Sequence, residues 1–129
     1  MKIEVNQITK AIIGASIELH KHLGPGLLES AYEMALSYEL KELGFTVRRQ
    51  VSMPFVYKGN ELEVGYRIDL IVNETVLLEI KSVEQLAPVH FSQTLTYLKL
   101  SQFQLGLLIN FNVNLLKDGV HRIVNNFTA

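Results

Sequence analysis

The 129-residue sequence contains no cysteine, which excludes disulfide bridges, thiolate nucleophiles and thiolate zinc sites. It also lacks an apolar run long enough to span a bilayer. Its polar start, MKIEVNQITK, has no apolar segment of the kind found in signal peptides. We therefore expect a soluble, cytoplasmic protein. No repeat, linker or low-complexity segment divides the sequence, so its length predicts one domain over residues 1–129.

An excess of charge is missing too, because 12 Lys and Arg residues stand against 13 Asp and Glu residues, for a net charge of −1. A protein that held nucleic acid by phosphate neutralisation alone would usually be more basic. Any nucleic-acid contact must therefore be local, helped by a metal, or weak. The candidate phosphate contacts are Arg48 and Arg49 on one predicted strand and Arg67 on another.

Apolar residues at helical spacing predict two consecutive helices at the start of the chain and a third later. The predicted helices cover residues 5–23, about 28–43 and about 89–100. Short runs rich in β-forming residues predict a strand at 45–51, which resumes at 55–57 after Pro54, and strands at 61–72, 75–83, 105–111 and 120–124. Asp118-Gly119 predicts a two-residue turn before the last strand. The order ααβββαββ indicates an α/β fold (α+β) with a mixed sheet covered by helices.

The predicted strand 75–83 contains the stretch Leu-Leu-Glu-Ile-Lys-Ser-Val, in which Glu79 and Lys81 lie two residues apart. Side chains at this spacing leave the same face of a strand, while Leu78 and Ile80 leave the other. Burying charges is costly unless they are paired or bind a metal. Either this face is solvated, as one face of many antiparallel sheets is, or the two charges have a function.

The register of the preceding strand decides whether Asp69 joins this pair. A three-residue loop over residues 73–75 places Asp69 directly opposite Glu79, whereas a two-residue loop would put them on opposite faces. We predict the three-residue loop or an equivalent bulge. Two carboxylates so close would repel each other, and one would tend to hold a proton.

A divalent cation would remove this conflict between carboxylates. Mg²⁺ prefers oxygen ligands and typically takes one or two protein carboxylates. We therefore expect Mg²⁺ or Mn²⁺ on Asp69 and Glu79, with the backbone carbonyl of Ile80 as a further ligand. Lys81 would orient the attacking water or stabilise the transition state at a phosphoryl group.

Two motifs carry a resemblance to a known family. Asp69 followed by Glu79-Ile80-Lys81 matches the Asp…(Asp/Glu)-x-Lys signature, although Ile68 stands where the signature name has proline. The stretch GLLESAY, residues 26–32, matches G-x-x-E-x-x-Y. The sequence thus resembles the GxxExxY protein family, a branch of the PD-(D/E)xK nuclease superfamily. The resemblance extends over nearly the whole chain, including HFSQTLTYLKL and GLLINF.

The resemblance implies a restriction-endonuclease-like αβββαβ core with an extra N-terminal helix and a C-terminal strand. It also implies that Glu29 is an additional acidic residue near the metal. Tyr32 would support Glu29, unless it is simply a core aromatic with a satisfied hydroxyl. Gln93 and Tyr97 resemble a Q-x-x-x-Y motif, and their spacing places them on one helix face. There they would touch the metal site or the substrate backbone.

Three functions are consistent with these residues. The main hypothesis is a Mg-dependent (or Mn-dependent) nuclease whose substrate is nucleic acid, DNA before RNA. The alternative is a catalytically inactive nuclease-fold module that binds nucleic acid or a protein partner. The third is an interaction protein in which Glu79 and Lys81 pair across a homodimer interface.

Overall fold

The computed structural model describes residues 4–126. Its helices are α1 (Val5–Leu23), α2 (Glu29–Glu42) and α3 (Pro88–Ser101). Its strands are β1 (Val47–Ser52), β2 (Phe55–Tyr57), β3 (Asn60–Leu62), β4 (Arg67–Val72), β5 (Val76–Lys81), β6 (Leu105–Asn110) and β7 (Val120–Val124), and a 3₁₀ helix at Leu116–Gly119 precedes β7. Over this range, no helix has both the length and the apolarity needed to cross a membrane.

Five strands form the main sheet in the order β1-β4-β5-β6-β7, and β2 and β3 form a separate hairpin. All neighbouring strands of the main sheet are antiparallel except β5 and β6, which are parallel. A parallel pair needs a crossover connection, and α3 supplies it between β5 and β6. The predicted mixed α/β fold is therefore confirmed.

Helices cover both faces of the sheet, and alternate residues of the central strands pack on the two sides. On one face, α1 and α2 pack on Leu70, Leu78 and Ile80. On the other, α3 packs on Ile71 and Leu77. Every residue of β5 except the last, and all of β6, is buried, as expected for strands covered on both sides. The end of β5 is where this cover stops, and the candidate site lies there.

The prediction of one strand over residues 61–72 was wrong. The structure divides this segment into β3 and β4, because β3 pairs with β2 in the hairpin while β4 pairs with β1 and β5. Gly65, with φ of +72°, lies in the connection, in a region that favours glycine. Polar or small residues at odd positions alternate with apolar residues at even positions from 61 to 70, so sequence alternation gave no sign of this break.

The predicted two-residue turn at Asp118-Gly119 was also wrong, because these residues end the 3₁₀ helix between β6 and β7. Gly119 is required there for a different reason. A Cβ at this position would overlap the backbone carbonyl of Asn110. The close approach packs the 3₁₀ helix against the end of β6, next to the end of β5.

Candidate active site

The turn between β4 and β5 sets the register of the candidate site. Val72 pairs with Val76 and Leu70 with Leu78, so residues 73–75 form the connection. The predicted three-residue loop is therefore confirmed. Extending the same register by one pair places Asp69 opposite Glu79. The two acidic residues thus lie side by side at the end of the paired region.

The side chains of Asp69 and Glu79 each accept a hydrogen bond from the backbone of the neighbouring strand. The Asp69 N–H donates to Glu79 Oε2 at 2.9 Å, and the Ile80 N–H donates to Asp69 Oδ2 at 2.8 Å. Hydrogen bonds from backbone N–H groups to carboxylates are stronger than neutral ones. Each carboxylate is therefore held by the strand opposite its own, with one oxygen used in that bond.

Strand β4 changes its packing face at Asp69. In a regular strand, residues two apart point to the same side, yet Ile68 packs with the α3 layer and Leu70 with the α1/α2 layer. In β1, Gln50 lies opposite Asp69, between the pairs Arg49–Leu70 and Val51–Ile68. Gln50 has φ of +50°, a conformation that costs a non-glycine residue about 1–3 kcal/mol. The backbone distortion in both strands thus coincides with the site.

Burial dominates the electrostatics of the two carboxyls. Glu79 is only 3% exposed, and burial together with the charge of Asp69 raises its pKa to about 8, against the opposing effects of the Asp69 N–H and Lys81. Burial also raises the pKa of Asp69, although the Ile80 N–H opposes this. Both shifts arise first because burial disfavours the charged form of each carboxyl, and the neighbouring negative charges add to this effect.

Lys81 lies on the same side of β5 as Glu79, as its spacing predicts. Its charge lowers the pKa of both Asp69 and Glu79, which places it near the two carboxyls. Within residues 4–126 it forms no salt bridge. The chain beyond it is fixed by Asn110, whose side chain accepts from the Val83 N–H at 3.1 Å and donates to the Val83 carbonyl at 2.9 Å. The backbone near Lys81 is therefore held in place, and its ammonium group is available to a substrate or water.

Glu29 lies next to the residue that follows Lys81. Its Oε2 accepts a hydrogen bond from the Ser82 N–H at 3.2 Å, and the Ser82 hydroxyl donates to the Leu27 carbonyl at 2.7 Å. Glu29 is exposed and begins α2. The structure therefore joins Glu29 to the end of β5 through Ser82, whereas in the described residues no hydrogen bond links it to Asp69 or Glu79.

Tyr32 is fully buried and holds the loop before α2. Its hydroxyl donates to the Gly24 carbonyl at 2.5 Å and accepts from the Leu27 N–H at 3.2 Å. Its ring stacks on Phe111 with centroids 4.5 Å apart. The G-x-x-E-x-x-Y segment thus connects the α1–α2 loop to the sheet at two points, through Tyr32 and through Glu29.

Glu33 is a further acidic residue of α2 at the site, linked to Asp69 through Gln50, and it was not among the residues predicted from the sequence. It is 5% exposed. Its Oε2 accepts from Arg49 Nε at 3.0 Å, and its Oε1 accepts from Gln50 Nε2 at 2.6 Å. Its charge contributes to the raised pKa values of Asp69 and Glu79. The available signal was its position one turn after Glu29, on the same helix face.

Gln93 and Tyr97 approach the site from α3. The Gln93 amide donates to the Tyr97 hydroxyl at 3.1 Å, as their four-residue spacing predicts. Tyr97 is buried. Its pKa is raised first by burial and then by the charge of Glu79, so its hydroxyl lies within the field of the carboxyl pair. Gln93 is connected to the site through Tyr97.

Two of the three arginines considered as phosphate contacts are already paired within the chain. Arg48 Nε donates to Glu74 at 2.6 Å, and Arg49 Nη2 lies 2.9 Å from Glu33 Oε2. Arg67 is exposed and forms no salt bridge in the described part of the chain. Arg67 and Lys81 are therefore the cations best placed to meet a phosphate near the carboxyl pair.

The carboxyl pair suits a hard divalent cation. Among residues 4–126, no three His, Cys, Asp or Glu side chains are grouped closely enough to hold a metal by themselves. Mg²⁺, however, commonly takes only one or two protein carboxylates and completes its shell with water. Asp69 and Glu79 supply such oxygens, and a cation would offset the repulsion from Asp69 that, after burial, raises the pKa of Glu79. The donor set therefore fits Mg²⁺ or Mn²⁺.

Comparison with known proteins gives one result. A family model described as the PD-(D/E)XK nuclease superfamily matches residues 6–123. The match covers α1 to β7 and includes Asp69, Glu79 and Lys81. Neither a comparison with curated proteins nor one with solved structures finds a significant match.

Proposed function

Since this chain belongs to the PD-(D/E)XK nuclease superfamily, we propose that it hydrolyses phosphodiester bonds of nucleic acid with the help of a divalent cation. One observation carries the proposal. Asp69 and Glu79 each bond to the backbone of the other's strand, which holds the buried carboxyl of Glu79 and the half-buried carboxyl of Asp69 together beside Lys81. An ordinary solvated strand face does not need carboxyls so deeply buried and so close.

In this proposal, Asp69 and Glu79 hold Mg²⁺ or Mn²⁺, and the Ile80 carbonyl is a further ligand. When bound, the cation supplies Lewis-acid stabilisation of a phosphoryl oxygen. The two carboxyls must be ionised to accept it, so Glu79, with a pKa of about 8, loses its proton as the cation binds. The charge conflict in the metal-free site is then relieved.

Lys81 acts on the substrate directly. Hydrolysis adds a water oxygen to phosphorus and breaks the bond to the leaving sugar oxygen, while the attacking water releases one proton to solvent and the leaving oxygen takes one up from solvent. The Lys81 ammonium donates hydrogen bonds to the attacking water or to a non-bridging phosphate oxygen, where negative charge grows in the transition state. Its lack of a salt bridge in residues 4–126 leaves it available for this role.

The remaining predicted site residues support this arrangement. Glu29 assists from α2, through the Ser82 N–H or as an additional acidic residue near the cation. Tyr32 holds the loop that precedes Glu29. Gln93 and Tyr97 contact the substrate backbone or the cation's shell from α3. We assign the chain to the GxxExxY branch of the superfamily on its GLLESAY segment, with DNA as the expected substrate.

The test is cleavage of single-stranded DNA, duplex DNA and RNA by the purified protein with Mn²⁺, with Mg²⁺ and with EDTA. We expect cleavage that needs the cation. Lys81→Ala should reduce the rate by about 10²-fold or more, as the loss of a transition-state hydrogen-bond donor does in other enzymes. Lys117→Ala removes an exposed lysine of the 3₁₀ helix and serves as the matched control. Absence of cleavage, or equal cleavage by Lys81→Ala, would contradict the proposal.

One observation favours the second candidate, an inactive module that binds nucleic acid or a protein partner. Arg48 and Arg49 are paired with Glu74 and Glu33, so few cations remain to grip a long substrate. Fluorescence anisotropy with labelled DNA in EDTA distinguishes the two functions. Binding without cleavage under any cation would favour the module.

Two further expectations remain proposals with tests of their own. A homodimer would appear as twice the chain mass in light scattering. A cytoplasmic location would appear as the tagged protein in the cytoplasmic fraction of a fractionated cell.

A further inference from the structure

Gln50 occupies a position where its backbone would favour glycine. It lies within β1 and has φ of +50°, a left-handed conformation that glycine adopts without steric cost. It is also exposed, so burial of its side chain does not explain the choice of glutamine. A side chain retained at such a position is expected to have a contact that glycine cannot supply.

The Gln50 side chain bridges two carboxylates. Its Nε2 donates to Glu33 Oε1 at 2.6 Å and to Asp69 Oδ1 at 3.2 Å. A primary amide has two N–H bonds and can serve both acceptors. Glu33 is anchored in turn by Arg49. The amide thus separates two negative groups whose charges disfavour each other.

With this bond, both oxygens of Asp69 have partners. Oδ2 accepts from the Ile80 N–H and Oδ1 from Gln50, so the orientation of the carboxylate is fixed from both sides. The bond to Gln50 is the longer of the two, and a carboxylate oxygen can accept more than one partner. Oδ1 therefore remains able to bind a cation while Gln50 holds it.

We propose that Gln50 is a positioning residue that aims Asp69 at the cation and the substrate, with Glu33 of α2, itself held by Arg49 of β1, as its anchor. This inference rests on the proposed function, because it concerns the same site. Partners that orient metal ligands commonly change metal affinity or activity by about 10–100-fold when they are removed. The strained backbone of Gln50 is the means by which its amide reaches both carboxylates.

The experiment compares Gln50→Gly with Gln102→Gly. Gln102 also has a positive φ, +64°, but it is exposed and caps α3 at its C-terminal end. Both variants relieve backbone strain, and only the first removes the bridging amide. We expect Gln50→Gly to weaken Mn²⁺ binding, measured by isothermal titration calorimetry, by about tenfold or more. Gln102→Gly should leave Mn²⁺ affinity unchanged. Circular dichroism confirms that both variants are folded.

A second variant separates positioning from a purely structural role. In the double variant Gln50→Glu/Glu33→Gln, an amide and a carboxylate still face each other at these positions, but Asp69 now meets a carboxylate. We expect this variant to regain the thermal stability lost by Gln50→Glu and to remain defective in Mn²⁺ affinity. Recovery of Mn²⁺ affinity in the double variant would overturn the proposal, as would unchanged affinity in folded Gln50→Gly.

Kinetics give a further readout that separates this inference from the proposed function. If the wild type cleaves nucleic acid, Gln50→Gly should lower kcat with little change in KM, because it misplaces a ligand and removes no substrate contact. If the wild type binds Mn²⁺ without cleaving, the proposed function fails and the affinity comparison still decides the role of Gln50. A wild type that binds no Mn²⁺ overturns the role assigned to Gln50.

Discussion

The raised pKa of Glu79 predicts that the metal-free protein loses stability as the pH rises. The carboxyl has an ordinary pKa of 4.5 and a pKa of about 8 in the folded chain, first because of burial and then because of Asp69. The folded state therefore holds the proton more tightly than the unfolded state does. The stabilisation is complete below pH 4.5, where both states are protonated, and it is lost as the pH rises through about 8.

The size of the effect follows from proton linkage. Between the two pKa values, unfolding releases close to one proton from this group. The free energy of unfolding therefore falls by at most about 1.4 kcal/mol for each unit by which the pH rises. From about pH 5 to about pH 8, Glu79 should thus lower the free energy of unfolding by on the order of 3 kcal/mol. Since small domains are stable by about 5–15 kcal/mol, such a loss is easily measured.

Glu79→Gln isolates this contribution. A glutamine side-chain oxygen can still accept the Asp69 N–H that Glu79 Oε2 accepts at 2.9 Å, and it does not titrate. Urea unfolding followed by circular dichroism, in EDTA and over a series of pH values, gives the free energy of unfolding of both proteins. We expect the curves to lie close near pH 5 and to diverge towards about pH 8, with Glu79→Gln the more stable.

Glu39→Gln, an exposed residue of α2, is the control and should follow the wild type. Titrating groups far from Glu79 contribute equally to wild type and variant, so the difference between the curves reports Glu79 together with Asp69, whose charge is coupled to it. Parallel curves for wild type and Glu79→Gln over the whole range would refute the reasoning. They would mean that Glu79 is solvated or already ionised in the folded protein.

The remaining predictions concern the Tyr32 hydroxyl, the close approach at Gly119 and the acidic residues of α2. Tyr32→Phe removes both hydrogen bonds to the loop before α2 and should lower the free energy of unfolding by about 1–3 kcal/mol in urea titrations; an unchanged value would show that the hydroxyl is not needed. Gly119→Ala should cost about 1–3 kcal/mol through its overlap with the Asn110 carbonyl. Gly14→Ala, in open space on α1, should instead stabilise the protein by up to about 1 kcal/mol, and equal melting shifts in the two variants would contradict the packing argument. Glu33→Gln should weaken Mn²⁺ binding in calorimetry more than Glu29→Gln does, because Glu33 lies in the field of the carboxyl pair; the reverse order would identify Glu29 as the closer acid.

The spacing of residues along single elements was sufficient for much of the structure. Helical periodicity predicted α1, and the glycines that follow it, Gly24 and Gly26, predicted where it ends. The odd-length loop at residues 73–75 gave the register that places Asp69 opposite Glu79. Each of these predictions depends on residues close together in sequence, where the period of a helix or strand fixes which side chains share a face.

Contacts between elements that lie far apart in the sequence could not be predicted from local patterns. Periodicity placed Gln93 and Tyr97 on one face of α3, but it did not show that burial near Glu79 would raise the pKa of Tyr97. Arg48 and Arg49 formed a basic cluster in the sequence, yet carboxylates 26 and 16 residues away neutralise them. Such pairings depend on how α2 and the β4–β5 loop lie against β1, which a local pattern does not encode.

The amino-acid sequence by itself determined the order of the three helices and of the five main-sheet strands, the pairing of Asp69 with Glu79 and the side of β5 on which Lys81 lies. Tertiary structure alone decided that Glu33 is linked to Asp69, and that the link is the side chain of Gln50, whose backbone is strained. The physical reason is the range of the forces involved. Backbone geometry repeats over a few residues and can be read along the chain, whereas burial and charge interactions depend on groups that only folding brings together.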